Sequence, residues 1–127
     1  MMHYERVVPV NSEKPVFMQI IEMIEDDILS GTYRADDLII STPQISKLLS
    51  VNPTTAQRAI GVLTDRGVIY KKRGVGMAVT KGARDMILSK RQRLFHERGV
   101  PDFISGARKI GISGEELIKL IKENLHD

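Results

Sequence analysis

The stretch STPQISKLLSVNPTTAQRAIGVLTDRG, residues 41–67, decides the fold. Ser41 and Gln44 have the spacing of a capping box, in which each side chain satisfies a backbone donor that a starting helix leaves open. Pro43 falls in the first turn, where its missing N–H removes no hydrogen bond. Ile45, Leu48 and Leu49 supply a short helix with a buried face. Ser50-Val51 breaks that pattern and a new helix starts at once, with Asn52 as a strong N-cap and Pro53 at the favoured first position. Ala56, Ala59, Ile60 and Leu63 follow at i, i+3, i+4 and i+7, and Gly67 ends the helix. Two helices joined by so tight a turn have the form of a helix-turn-helix, whose second helix puts its N-terminal end into the DNA major groove. With that stripe buried, Thr54, Gln57, Arg58 and Gly61 face outward and Thr55 lies at the rim. Gln57 has the chemistry to pair with adenine, and Arg58 reaches either a phosphate or a guanine. A plain αα-hairpin with a polar outer face has the same spacing.

The flanks choose between these readings. After Gly67 the pattern alternates, and Val68–Lys71 and Met77–Thr80 are predicted as two short strands around the basic glycine turn 72–76. Lys71, Lys72 and Arg73 at that turn would lie beside the same groove as a wing. The turn is no nucleotide loop, since no helix follows it and the dinucleotide spacing is absent. Upstream, Val7–Val10 reads as an extended arm and Pro15 as part of a first helical turn. Phe17, Ile20, Ile21, Ile24 and Ile28 then form the core stripe of a helix ended by Gly31, with Glu22, Glu25 and Asp26 on its other face. Downstream, Ala83, Met86, Ile87, Leu94 and Phe95 predict a helix to about Arg98, interrupted by Gly99 and Pro101. Phe103, Ala107 and Ile110 mark the next helix, closed by Gly111. Ser113 with Glu116 opens a last one, carrying Leu117, Leu120, Ile121 and Leu125.

Charge is divided unevenly along the 127 residues. Residues 1–40 hold three basic groups and eight acidic ones, residues 41–80 six basic and one acidic, and the remainder ten and seven. The middle block is the basic one, as expected where a chain meets a polyanion. Hydrophobic residues make up 42% and charged residues 28%, which excludes both a disordered tail and a membrane protein. There is no cysteine, hence no disulfide, thiolate metal site or thiol nucleophile. His3, His96 and His126 stand at no metal-ligand spacing, and no nucleophile elbow or P-loop occurs. Asp26-Asp27 and Asp36-Asp37 read as surface or turn residues. The sequence thus predicts a cytoplasmic chain that is no enzyme and has no cofactor, metal or membrane partner.

With these motifs in place, the chain resembles the winged-helix regulators of the GntR family, and within it the short YtrA-like branch. The similarity runs through Ser12–Ile20, Ser30-Gly31-Thr32-Tyr33 with Leu38, Val51–Thr55, Arg58-Ala59, Leu63, Gly67–Tyr70 and Arg73–Gly76. The short tail, residues 81–127, is also what that branch carries. Carried over by position, the resemblance implies DNA contacts from Asn52, Thr54, Thr55, Gln57 and Arg58, and from the wing at Arg73 and Gly74. Two departures stand out. The branch usually opens its second helix with Pro-Ser-x-Arg, the arginine holding a phosphate, whereas Ile40-Ser41-Thr42-Pro43 puts a proline there. More of the backbone grip then falls to Ser41, Thr42 and Lys47. The turn before it usually contains Gly-Asp, and here it is Asp36-Asp37.

The expected fold is mainly α with a small β-hairpin: a winged helix-turn-helix domain over residues 1–80, then a helical dimerisation tail over 81–127. The expected function is regulation of transcription, as a repressor, by a homodimer on a palindromic operator in double-stranded DNA. Met86, Ile87, Leu94, Phe95, Phe103, Ile110, Leu117, Leu120 and Ile121 are the expected dimer contacts, too apolar a set for a peripheral tail to leave in water. Any small-molecule effector would sit between the tail helices and the DNA-binding part, or at the dimer interface. The competing reading is a winged helix used only for protein–protein contact, which would have no need of the basic wing.

Overall fold

The computed structural model describes residues 14–126, so the extended arm expected at Val7–Val10 lies outside the described residues. The chain divides into two compact units between Leu88 and Ser89. That boundary falls after the one expected at residue 80, because Ala83 and Ile87 are buried in the core of the first unit.

In the first unit, α1 (Val16–Leu29), α2 (Thr42–Leu49) and α3 (Pro53–Asp65) precede a hairpin of β1 (Ile69–Lys72) and β2 (Gly76–Val79), and α4 (Ala83–Leu94) begins. Pro15 is the N-cap of α1, one residue ahead of the turn expected for it. Ile20, Ile24 and Ile28 are fully buried, as their spacing requires. The acidic face expected on α1 is not all solvated. Glu25 and Asp27 are both buried, because core contacts run round most of this helix. A carboxylate can be buried only with partners, and Glu25 Oε2 lies 3.9 Å from Arg66 Nη1, at the C-terminal end of α3.

The capping box of α2 is complete. Ser41 Oγ accepts from the Gln44 N–H at 3.3 Å, and Gln44 Oε1 accepts from the Ser41 N–H at 3.0 Å. Ile45 is fully buried and Leu49 partly so, but Leu48 is 53% exposed, contrary to the buried face expected. The eight residues of α2 pack on α3 through Ile45, with Leu49 partly covered, and leave Leu48 to solvent. Ser50 makes the tight turn by adopting φ +54°. Ser46 Oγ, which donates to the Val51 carbonyl at 2.6 Å, holds that turn closed. Asn52 Oδ1 then accepts from the Thr54 N–H at 2.8 Å and starts α3.

The strands pair antiparallel with Ile69 opposite Val79 and Lys72 opposite Gly76. A third segment, which the sequence did not announce, lies on the free edge of β2. Asp36 N–H donates to the Val79 carbonyl at 2.8 Å, Val79 N–H to the Asp37 carbonyl at 3.0 Å, and Ile39 N–H to the Met77 carbonyl at 2.9 Å. Leu38 forms the bridge to Ala78. The loop between α1 and α2 is therefore fastened to the wing.

The second unit contains the end of α4, α5 (Val100–Lys109) and α6 (Gly114–Asn124). The interruption expected at Gly99 and Pro101 is absent. Gly99 is helical (φ −56°, ψ −52°), and a π-helical turn over Phe95–Gly99 carries α4 straight into α5. The extra residue of that wider turn relieves the clash that the Pro101 ring would make with a preceding carbonyl. A Cβ at Gly99 would stand 2.8 Å from Cδ1 of Phe95, whose exposed ring would have to turn aside. Ala107 of α5 and Leu117 of α6 are buried, and Ser113 Oγ caps α6 by accepting from the Glu116 N–H at 3.1 Å.

Candidate nucleic-acid interface

Burial of Ala56, Ala59, Ile60 and Leu63 fixes the rotation of α3 and so decides what it offers to solvent. Thr54, Gln57, Arg58 and Gly61 are exposed and Thr55 is half-buried, the arrangement expected from the stripe. Thr54, Gln57 and Gly61 form an outward strip that starts at the capped N-terminal end. Asn52 is exposed, but its carboxamide oxygen already holds the Thr54 N–H, leaving its amide group for outside partners. Arg58 is not a loose side chain. Its guanidinium carbon sits 3.8 Å from the centroid of the Phe17 ring, in the first turn of α1. Sequence periodicity had put Phe17 in the core stripe alone.

At the wing, Lys71, Arg73 and Gly74 are exposed. Gly74 turns the tip with φ +74°, a conformation that a side chain would strain, and Val75 N–H closes the turn on the Lys72 carbonyl at 2.9 Å. Lys72 does not project with its neighbours. It is half-buried, and its ammonium reaches back to the Asp36 carbonyl at 3.4 Å. Asp36 adopts φ +68°, which explains why glycine suits this position in the resembling family. Its carboxylate accepts the Tyr70 hydroxyl at 2.7 Å. That hydrogen bond, with desolvation and the carboxylate's charge adding to it, holds the Tyr70 hydroxyl above its ordinary value of 10.0. The signal available for Asp36 was its departure from the family's glycine.

Ser41 is exposed, with its hydroxyl committed to the α2 cap, while Thr42 is half-buried and Lys47 is exposed in the last turn of α2. Of the expected dimer contacts, Ile87 is 1% exposed, packed in the first unit's own core. Met86 is exposed on α4. In the second unit Leu94, Phe95, Phe103, Ile110, Leu120 and Ile121 are exposed, and Leu117 is buried. Phe103, Ile110, Leu117, Leu120 and Ile121 line an open apolar groove of about 680 Å³ between α5 and α6. Among the described residues no group of three or more His, Asp or Glu side chains is placed to hold a metal. No described helix is long and apolar enough to cross a membrane.

A capped second helix with an outward polar strip, a tight turn before it and a basic hairpin after it define a winged helix-turn-helix protein. The profile of the GntR family of bacterial regulatory proteins matches residues 18–79. A solved GntR family transcriptional regulator from Listeria monocytogenes shares 32% identity, over 91% of this chain and 99% of its own, with a TM-score of 0.72. The chain belongs to the GntR family, and its likeness to YtrA over most of its length places it with the YtrA-like regulators. That relative, the HTH-type transcriptional repressor YtrA of Bacillus subtilis, is 26% identical over 112 residues, 88% of this chain and 85% of its own. The DNA-binding domain of AraR, solved in complex with operator ORX1, is 28% identical and covers 59% of this chain and 95% of its own, with a TM-score of 0.54.

Proposed function

We propose that this protein is a homodimeric transcriptional repressor that reads a palindromic operator with α3 and grips the flanking backbone with its wing. The observation that carries the reading is the exposed strip Thr54, Gln57 and Gly61 on a helix whose capped N-terminal end is itself exposed at Asn52, Pro53 and Thr54, together with exposed Lys71 and Arg73. Short polar side chains at a helix start fit base edges, and cations on a glycine turn fit phosphates. The operator complex of AraR's DNA-binding domain and the repressor role of YtrA support the assignment.

Two-fold assembly is supported by the second unit. Fully burying a large apolar side chain is worth roughly 1.5–3 kcal/mol, and this unit exposes several on one open groove. A second copy presenting the same surface is the simplest cover. Paired recognition helices then meet half-sites about one helical turn apart, or a multiple of it. Selection of bound duplexes from a random pool tests the whole proposal. A symmetric consensus is the expected result, and recovery of unselected sequence at every salt concentration would refute it. Full-length Ile121→Glu should sediment as a monomer and lose operator affinity, while a dimer that persists would move the interface elsewhere.

A further inference from the structure

The stack between Arg58 and Phe17 bears on a choice that residue type leaves open, whether Arg58 reads a guanine or holds a phosphate. Thr54, Gln57 and Gly61 are the exposed outward strip of α3. Arg58 instead lays its head over the first turn of α1, the helix that packs along α3, with its guanidinium carbon 3.8 Å from the ring centroid of Phe17. A helix lying in a groove presents its outward strip to the base edges and its flanks to the phosphates of the groove walls. A guanidinium stacked on an aromatic face keeps its N–H donors in the plane of the group, around an open rim. It is then pre-set for bidentate contact with phosphate oxygens, with less rotamer freedom left to lose on binding. We infer that Phe17 is a positioning residue that turns Arg58 into a backbone clamp at the flank of α3, leaving base reading to Thr54 and Gln57. The inference rests on the DNA-binding reading above.

Its test uses the full-length protein, a selected operator and an unrelated duplex, titrated across salt. Arg58→Ala should weaken both duplexes by a similar factor and reduce the salt slope by about one unit, the signature of a phosphate contact. Phe17→Leu keeps apolar bulk and removes the platform. It should weaken both duplexes about three- to fivefold, the range of an exposed cation–π contact, and do nothing further in the Arg58→Ala background. Phe17→Tyr should restore wild-type affinity. Free wild-type protein offers a readout without DNA: the side-chain protons of Arg58 should be shifted upfield by the ring and return to ordinary positions in Phe17→Leu. A loss confined to the operator would make Arg58 a base reader and overturn the inference, as would equal effects of Phe17→Leu with and without Arg58. Absence of salt-dependent binding by the wild type would instead refute the DNA-binding reading, leaving the proton shifts to report on the stack.

Discussion

The Tyr70 hydroxyl donates a 2.7 Å hydrogen bond to the carboxylate of Asp36, 34 residues earlier, and so joins the first wing strand to the loop between α1 and α2. The same aspartate takes the Lys72 ammonium on its backbone carbonyl and adopts a left-handed φ of +68°. One residue therefore organises the root of the wing.

The direction of the Tyr70 shift gives a pH prediction. The hydrogen bond to Asp36 favours the neutral phenol in the folded protein and raises its titration above 10.0. For a group raised on folding, the stabilisation is complete below the unfolded value and is lost as pH rises through the folded one. In an alkaline titration followed at the ring protons of Tyr70 itself, this tyrosine should ionise above its ordinary value. Asp36→Ala should return it toward the ordinary value. A Tyr70 titration still raised in Asp36→Ala would mean that another group causes the shift.

Gly61 lies in the middle of α3, is exposed, and has nothing within 4 Å of the position where a Cβ would stand. Gly61→Ala should stabilise the free protein by up to about 1 kcal/mol, seen as a higher Tm. Operator affinity should fall at the same time, because the added methyl stands on the outward strip. Unchanged affinity would show that this turn of α3 stays clear of the DNA.

At the wing tip, Arg73 is exposed beside Gly74. Arg73→Ala should weaken binding to every duplex alike and reduce the salt slope by about one unit, leaving the preferred sequence unchanged. A shifted consensus in repeated selection would contradict a purely backbone role.

Two neighbouring residues of α2 should differ sharply in stability. Ile45 is fully buried, so Ile45→Ala should cost roughly 2–5 kcal/mol through lost transfer energy and the cavity left behind. Leu48 is 53% exposed, and Leu48→Ala should change stability by less than about 0.5 kcal/mol. Urea denaturation of both variants decides the matter, and similar losses would mean that Leu48 is covered in solution.

The helix-turn-helix and wing were legible because their determinants are local. Caps such as Ser41 with Gln44 and Asn52 with Thr54 act within three residues, and glycine turns announce themselves. What escaped depends on distant partners. Leu48 keeps the helical spacing of a core residue yet is left in solvent. Glu25 looks solvated until Arg66 is brought to it from the far end of another helix. Residues 36–39 show no strand alternation, because only one bridge, at Leu38, is formed there. The helix ending expected at Gly99 and Pro101 fails because a turn one residue wider accommodates the proline. For the site, the outward strip of α3 followed from its buried stripe. The support of Arg58 by Phe17 did not, since it requires α1 and α3 to be placed side by side.

The backbone hydrogen bonds that tie residues 36–39 to β2 have a mechanical consequence. They clamp the hairpin at its root, while Arg73, Gly74 and Val75 project beyond it on a turn closed by the Lys72 carbonyl. The wing is a short cantilever, fastened where it joins the domain. The entropy of ordering the root is lost once, on folding, and does not recur when a duplex is engaged.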